Sequence, residues 1–149
     1  LGLPSEGTNS RTTYFTGLGF RYLLNAMGHQ ATSTGHAGYD RESRYVYVPI
    51  GINFETGPWE FRGEYLHFLY GQQTSKLSQA SPGLGDITND QEEGSGIKLR
   101  AKYYTSTDSG YEFYTDYWDI ADSKLDTTGN FMEPRNTTSE LGIKYFFKF

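Results

Sequence analysis

The 149-residue chain contains no cysteine, which removes a disulfide framework and any thiolate metal site. It also lacks any hydrophobic run near the roughly 20 residues that a membrane helix requires. A mean hydropathy of -0.65 with 36% hydrophobic residues excludes a helical membrane bundle. Positive charge is in deficit, with 13 Lys and Arg against 18 Asp and Glu, and the net charge of -5 weighs against nucleic acid as a partner. The chain does not begin with Met, so a mature form after signal removal or a fragment is expected. In excess are Tyr (13), Phe (10) and Gly (18), a composition suited to strands.

Period-two alternation recurs along the chain and predicts six strands. In "YFTGLGFRYLL", Tyr14, Thr16, Leu18, Phe20, Tyr22 and Leu24 share one face, opposite Phe15, Gly17, Gly19, Arg21 and Leu23. "RYVYVPIGINFE" sets Val46, Val48, Ile50, Ile52 and Phe54 against Tyr45, Tyr47, Pro49, Gly51, Asn53 and Glu55. "WEFRGEYLHFLYG" sets Trp59, Phe61, Gly63, Tyr65 and Leu69 against Glu60, Arg62 and Glu64. Ile97, Leu99, Ala101 and Tyr103 then oppose Lys98, Arg100, Lys102 and Tyr104, and Tyr111, Phe113 and Tyr117 oppose Glu112, Tyr114, Asp116 and Trp118. The last strand sets Leu141, Ile143, Tyr145, Phe147 and Phe149 against Glu140, Gly142, Lys144, Phe146 and Lys148. No segment reads as a helix.

Connection lengths also alternate. Short links surround Gly57 and Asp108, whereas residues 27–42, 73–94 and 124–137 form long polar segments. Short turns at one end and long loops at the other are the pattern of an outer-membrane β-barrel, with turns in the periplasm and loops outside. The polar faces alternate in sign, basic at Lys98, Arg100 and Lys102 between neighbours carrying Glu60, Glu64, Glu112 and Asp116. Such pairs contribute about 0.2–1 kcal/mol each on a wet sheet, and count for more in a confined lumen. Tyr14, Phe54, Trp59, Tyr103, Tyr111 and Phe149 fall at the short-turn ends of the apolar faces, where an interfacial aromatic girdle sits. The expected fold is therefore an all-β, antiparallel, up-and-down transmembrane barrel, one domain over residues 1–149. Single-chain barrels begin at about eight strands, so six imply either several chains in one barrel or a part of a barrel of roughly ten strands that lacks its N-terminal ones, the expectation adopted here.

The closing stretch "ELGIKYFFKF" resembles the C-terminal signal strand of bacterial outer-membrane proteins, read by the barrel-insertion machinery. The resemblance assigns that signal to Gly142, Tyr145, Phe147 and Phe149. "TGLGFRYL", "RESRYVYVPIGI", "GEYLHFLYGQQTSKLS", "YWDIADS" and "EPRNTTSELGIKYFFKF" are similar to the C-terminal part of a family of uncharacterised outer-membrane barrel proteins. Its longer members carry additional strands before the segment matching "YFTGLGFRYL". The resemblance implies a fold and a location, the bacterial outer membrane, with no biochemical role attached.

Candidate chemistry is sparse. His29 and His36 lie in the first long segment near Asp40, a possible general-base pair for a membrane-embedded hydrolase, yet solvated loop histidines account for them more simply. No GxSxG or other nucleophile motif supports catalysis. His67 falls on the apolar face near the outer end of its strand. Asp86, Asn89, Asp90, Glu92 and Glu93 offer oxygen donors for Ca²⁺ or for the cations that bridge lipopolysaccharide, but they lack the spacing of a calcium loop. The sequon at Asn136 is read as accidental. No catalytic, cofactor or metal site is assigned.

The lumen is the informative region. Arg21, Glu60, Arg62, Glu64, Lys98, Arg100, Lys102, Glu112 and Asp116 either line an aqueous pore or interlock as a plug. The narrowness of a small barrel favours the plug. The functional expectation is a structural or surface-interaction protein that meets outer-membrane lipid and lipopolysaccharide, its loops open to an external protein or ligand. A porin-like channel for small polar solutes and a hydrolase are the alternatives.

Overall fold

The computed structural model describes residues 10–28, 30–31 and 33–147. Eight antiparallel strands form one sheet: β1 (Arg11–Thr16), β2 (Gly19–Asn25), β3 (Arg41–Thr56), β4 (Trp59–Ser75), β5 (Ile87–Gln91), β6 (Gly94–Tyr104), β7 (Ser109–Ile120) and β8 (Asn136–Phe147). Both β1 and β2 pair with β3, and both β5 and β6 pair with β4, so the eight segments make six long strands in up-and-down order. The breaks fall at Gly17–Leu18 and at Glu92–Glu93. One 3-10 turn, Leu77–Gln79, lies in a connection. Among the described residues no ladder joins the first strand to β8, and the sheet is not closed.

The alternation is as the period-two pattern predicts, with a correction on strand length. Residues 73–94 read as a loop, yet β4 runs to Ser75 and β5 pairs with it from Ile87 to Gln91. There the outward residues are polar, with Thr74 bonded to Thr88 (3.1 Å) and Gln72 to Asp90 (3.3 Å), so no hydrophobic period marks the strand. A bulge adds a second departure: Tyr47 faces Phe68 while Val46 faces Tyr70, leaving Leu69 extra and turning Gly71, Gln73 and Ser75 inward.

One face of the sheet is strongly concave. Tyr45 on β3 stacks with Trp118 on β7 at 6.3 Å between ring centroids, although three strand spacings separate them, about 14 Å on a flat sheet. Inward glycines permit this curl, each with an aromatic ring from the neighbouring strand in the space its side chain would fill: Tyr47 against Gly19, Phe15 against Gly51, Trp118 against Gly96, Phe146 against Gly110 and Tyr114 against Gly142. Every one is a directly opposed pair in the ladders.

Candidate functional site

Burial is inverted relative to a water-soluble sheet. The buried apolar residues are Tyr45, Tyr47, Leu66, Phe68, Trp118 and Ile120, all on the concave face. The convex face leaves Tyr14, Leu18, Phe20, Ile50, Ile52, Phe61, Leu99, Phe113, Leu141 and Ile143 exposed, Leu141 at 84%. A monomer in water rarely exposes a continuous apolar surface of this extent.

The apolar band runs obliquely across the ladders. Among the described residues, its lower limit is Phe147 on β8, Tyr111 on β7, Tyr103 on β6, Trp59 on β4, Phe54 on β3 and Tyr14 on β1. From Phe147 to Tyr14 this limit climbs three ladder rows, about 20 Å, over five strand spacings, about 24 Å. The inclination is therefore roughly 40° to the direction across the strands, within the 35–45° tilt of membrane barrels. The upper limit climbs likewise: apart from His67 on β4 and Thr115 on β7, which lie within the band, the first polar outward residue is Ser139 on β8, Asp119 on β7, Ser95 on β6, Gln72 on β4 and Arg44 on β3. Measured along that tilt, the band is about 20 Å high on β3 and about 28 Å on β4, against about 25 Å for a barrel's apolar belt. Aromatic contacts follow the lower rim: Trp59 packs on Tyr103 (4.8 Å) and Phe61 (5.6 Å), and Tyr111 on Tyr145 (5.2 Å).

The concave face is stratified in three layers. Nearest the short turns is a charge ladder. Arg100 bridges Asp116, and its Nε lies 3.9 Å from Glu112. Lys102 lies 3.6 Å from Glu60 and 3.8 Å from Glu112, and Lys144 lies 3.6 Å from Glu112. Arg62, directly opposite the like-charged Arg100, turns instead to Glu64 (2.8 Å) and packs over Phe15. Lys98 sits over the Tyr47 ring at 5.8 Å. Tyr104 donates to Glu60 (2.8 Å) and Tyr114 to Glu140 (3.1 Å). Above lies the aromatic septum, with Tyr47 edge-on to Trp118 (5.1 Å), Tyr45 against Phe68 (5.6 Å), and the Arg21 guanidinium 4.7 Å from the centre of the Trp118 ring. Toward the long loops follow buried polar groups: Ser43 bonded to Gln73 (3.1 Å), Asn89 donating to the Phe131 carbonyl (3.0 Å), and Glu133 paired with Arg41 (3.3 Å).

Of the expected lumen residues, Glu60, Arg62, Glu64, Lys98, Arg100, Lys102, Glu112 and Asp116 share the charge ladder, and Arg21 stands apart at the septum. The sequence reading passed over Leu66, Phe68 and Ile120. Continuing the even positions of Glu60, Arg62 and Glu64 to 66 and 68 would have found the first two. It also passed over Glu140 and Lys144 as partners, although they share the inward face of the last strand.

The loop candidates do not assemble. Asp40 accepts from the Gln79 side-chain amide (3.1 Å) and from the Gly28 amide (2.6 Å), which hold its carboxyl below the usual range. His36 contacts Thr34 (3.1 Å), and His29 lies outside the described residues. His67 is exposed on the convex face opposite Val48 and Ser95. Strand alternation disperses the oxygen donors: Asn89 points inward, Asp90 accepts from Tyr70 outside (2.6 Å), Asp86 from Ser78 (2.6 Å), and Glu92 pairs with Lys124 (2.6 Å). Among the described residues no group of three or more His, Asp or Glu could hold a metal ion. Of the expected assembly signal, Gly142 lies against Tyr114, Tyr145 and Phe147 face outward, and Phe149 lies outside the described residues. The chain matches no known protein family, curated protein or solved structure.

Proposed function

We propose that this chain forms the wall of a β-barrel in a bacterial outer membrane, its convex face against lipid, in a structural or surface-interaction role. The observation that carries the reading is the oblique apolar band, exposed on the outside and rimmed by Trp59, Tyr103, Tyr111 and Tyr145 at the short-turn end. Bilayer hydrocarbon is the environment in which that face is favourable. The aromatic septum and the interlocked charge ladder favour a closed interior over a porin-like one, and no loop constellation supports a hydrolase. The long-loop end, where loops 76–86 and 121–135 meet lipopolysaccharide and the exterior, is the surface open to an outside partner. Tyr145 and Phe147 serve as the outward-facing part of the insertion signal.

Diluting the urea-unfolded chain into phosphatidylcholine vesicles tests this. The expected result is β-structure gained only with lipid, with the strands protected from protease. A folded, monomeric chain in lipid-free buffer that ignores vesicles would refute it.

A further inference from the structure

Above the aromatic septum the concave face holds a cavity of about 240 Å³. Its mouth lies between the β2 edge, at Leu23 and Asn25, and the β8 edge, at Asn136 and Thr138. Its deep end is made by Ser43, Tyr45 and Gln73, which are 8%, 2% and 4% exposed. We propose that this cavity binds a small aliphatic carboxylate, its oxygens directed to Gln73 and Arg41 and its hydrocarbon part toward Leu23.

The hydrogen-bond count selects an acceptor as ligand. The Ser43 hydroxyl donates to the Gln73 side-chain oxygen (3.1 Å), and the Thr138 hydroxyl donates to that of Asn136 (3.1 Å). Both amides thus have their oxygens engaged and their N–H groups left over. Asn136 is exposed at the mouth and can turn its amide to water. Gln73 cannot, because it is buried and its Nε2 has no hydrogen-bond partner among the described residues. A buried donor without an acceptor is costly. It is the bulge at Leu69 that turns Gln73 to this side of the sheet, directly opposite Ser43, and an acceptor entering the cavity supplies the missing partner.

Charge points the same way. Arg41 lines the cavity and none of the lining residues is acidic. Glu133 (3.3 Å) and the Tyr39 hydroxyl (2.6 Å) hold the Arg41 guanidinium, but both line a separate cavity with it, so they orient the arginine without placing an acid in this one. Leu23 and the Tyr45 ring supply an apolar wall, which a hydrated inorganic anion leaves uncovered and a short alkyl chain covers. Ser43 and Thr138 lie one residue beyond Arg44 and Ser139, the upper limits of the apolar band on their strands, so on the membrane reading the mouth opens at headgroup level.

Calorimetric titration of the full chain, refolded in detergent, tests the site with butyrate as probe and butyramide as its uncharged analogue. The expected result is saturable butyrate binding with a Kd of about 1 mM or tighter, within reach of so small a ligand, and binding of butyramide at least about tenfold weaker. The double variant Ser43→Ala/Gln73→Met removes both partners of one hydrogen bond at nearly constant volume, so the unfolding midpoint should hold while butyrate affinity falls at least about tenfold. Asn136→Asp, at the exposed mouth, should weaken butyrate severalfold with the fold intact. Absence of saturable butyrate binding, equal binding of butyramide, or unchanged affinity in both variants would overturn the proposal. The site needs only the folded chain: vesicle insertion without butyrate binding refutes the site alone, whereas a chain that folds and binds butyrate in lipid-free buffer and ignores vesicles refutes the membrane reading alone.

Discussion

The Tyr114 ring occupies the space that a side chain at residue 142 would need: a Cβ on Gly142 would lie 2.5 Å from it, directly across the β7–β8 ladder. The glycine is thus a packing requirement of the concave face, whatever further role the last strand has. Gly142→Ala is expected to destabilise the folded protein by about 1–3 kcal/mol through overpacking. Gly85→Ala, in a loop with nothing within 4 Å of the added carbon, should change stability by less than about 0.5 kcal/mol. Urea titration of the vesicle-inserted protein measures both, and equal effects would contradict the packing account.

The convex face gives a depth-dependent prediction. Ile50 lies on the apolar band between Thr16 and Tyr65, with Val48 and Ile52 on either side along β3. Ile50→Arg should cost about 2–4 kcal/mol in a bilayer. Leu125→Arg, at a comparably exposed apolar residue in the loop after β7, should cost less than about 0.5 kcal/mol. In a water-soluble protein both substitutions at exposed positions would be near neutral, so equal small values would count against the lipid contact.

Inside, Arg100 connects Asp116 and Glu112 across the β6–β7 ladder, with each side chain less than a fifth exposed. Arg100→Glu would leave three carboxylates together and should cost about 3 kcal/mol or more. Lys124→Glu breaks the exposed pair with Glu92, worth at most about 1 kcal/mol. Unfolding midpoints of the two variants decide, and comparable losses would show that the ladder is as well solvated as the loop.

These residues also show how far the sequence could be read. Strict alternation from Trp59 to Tyr65 and from Ile97 to Tyr103 revealed the strands and their two faces, because one face is apolar and the other charged. The β5 pairing was illegible because Thr88, Asp90, Thr74 and Gln72 are polar on the outward side as well. The shift that turns Gly71 and Gln73 inward depends on a bulge at Leu69, which alternation cannot announce. The breadth of the septum was hidden because contact between Tyr45 and Trp118, three strands apart, needs the curl, and that curl rests on glycines opposed to rings on neighbouring strands, a pairing that only the register reveals.

Beyond the strands, Asp126 accepts the Thr128 hydroxyl (2.6 Å) and the amides of Phe131 (2.9 Å) and Asn130 (3.0 Å), which bring its carboxyl down to about 2. Because the folded pKa lies below the unfolded one, the stabilisation is fully present above the ordinary aspartate range near 4 and is lost as pH falls through about 2. Amide resonances of Asn130 and Phe131 should titrate with a midpoint near 2. A midpoint near 4 would mean that the turn does not hold the carboxylate.

The most direct test of the membrane reading uses the two tryptophans, which lie on opposite faces: Trp59 outward on the aromatic rim and Trp118 inward in the septum, 2% exposed. The variants Trp118→Phe and Trp59→Phe each leave one reporter. Both are refolded into vesicles whose acyl chains carry bromine, a short-range quencher. The account predicts that the fluorescence of Trp59 is strongly quenched by bromine placed near the headgroups, while that of Trp118 is nearly unchanged. Equal quenching of the two, or none of Trp59 in a folded protein, would contradict a convex face that meets lipid.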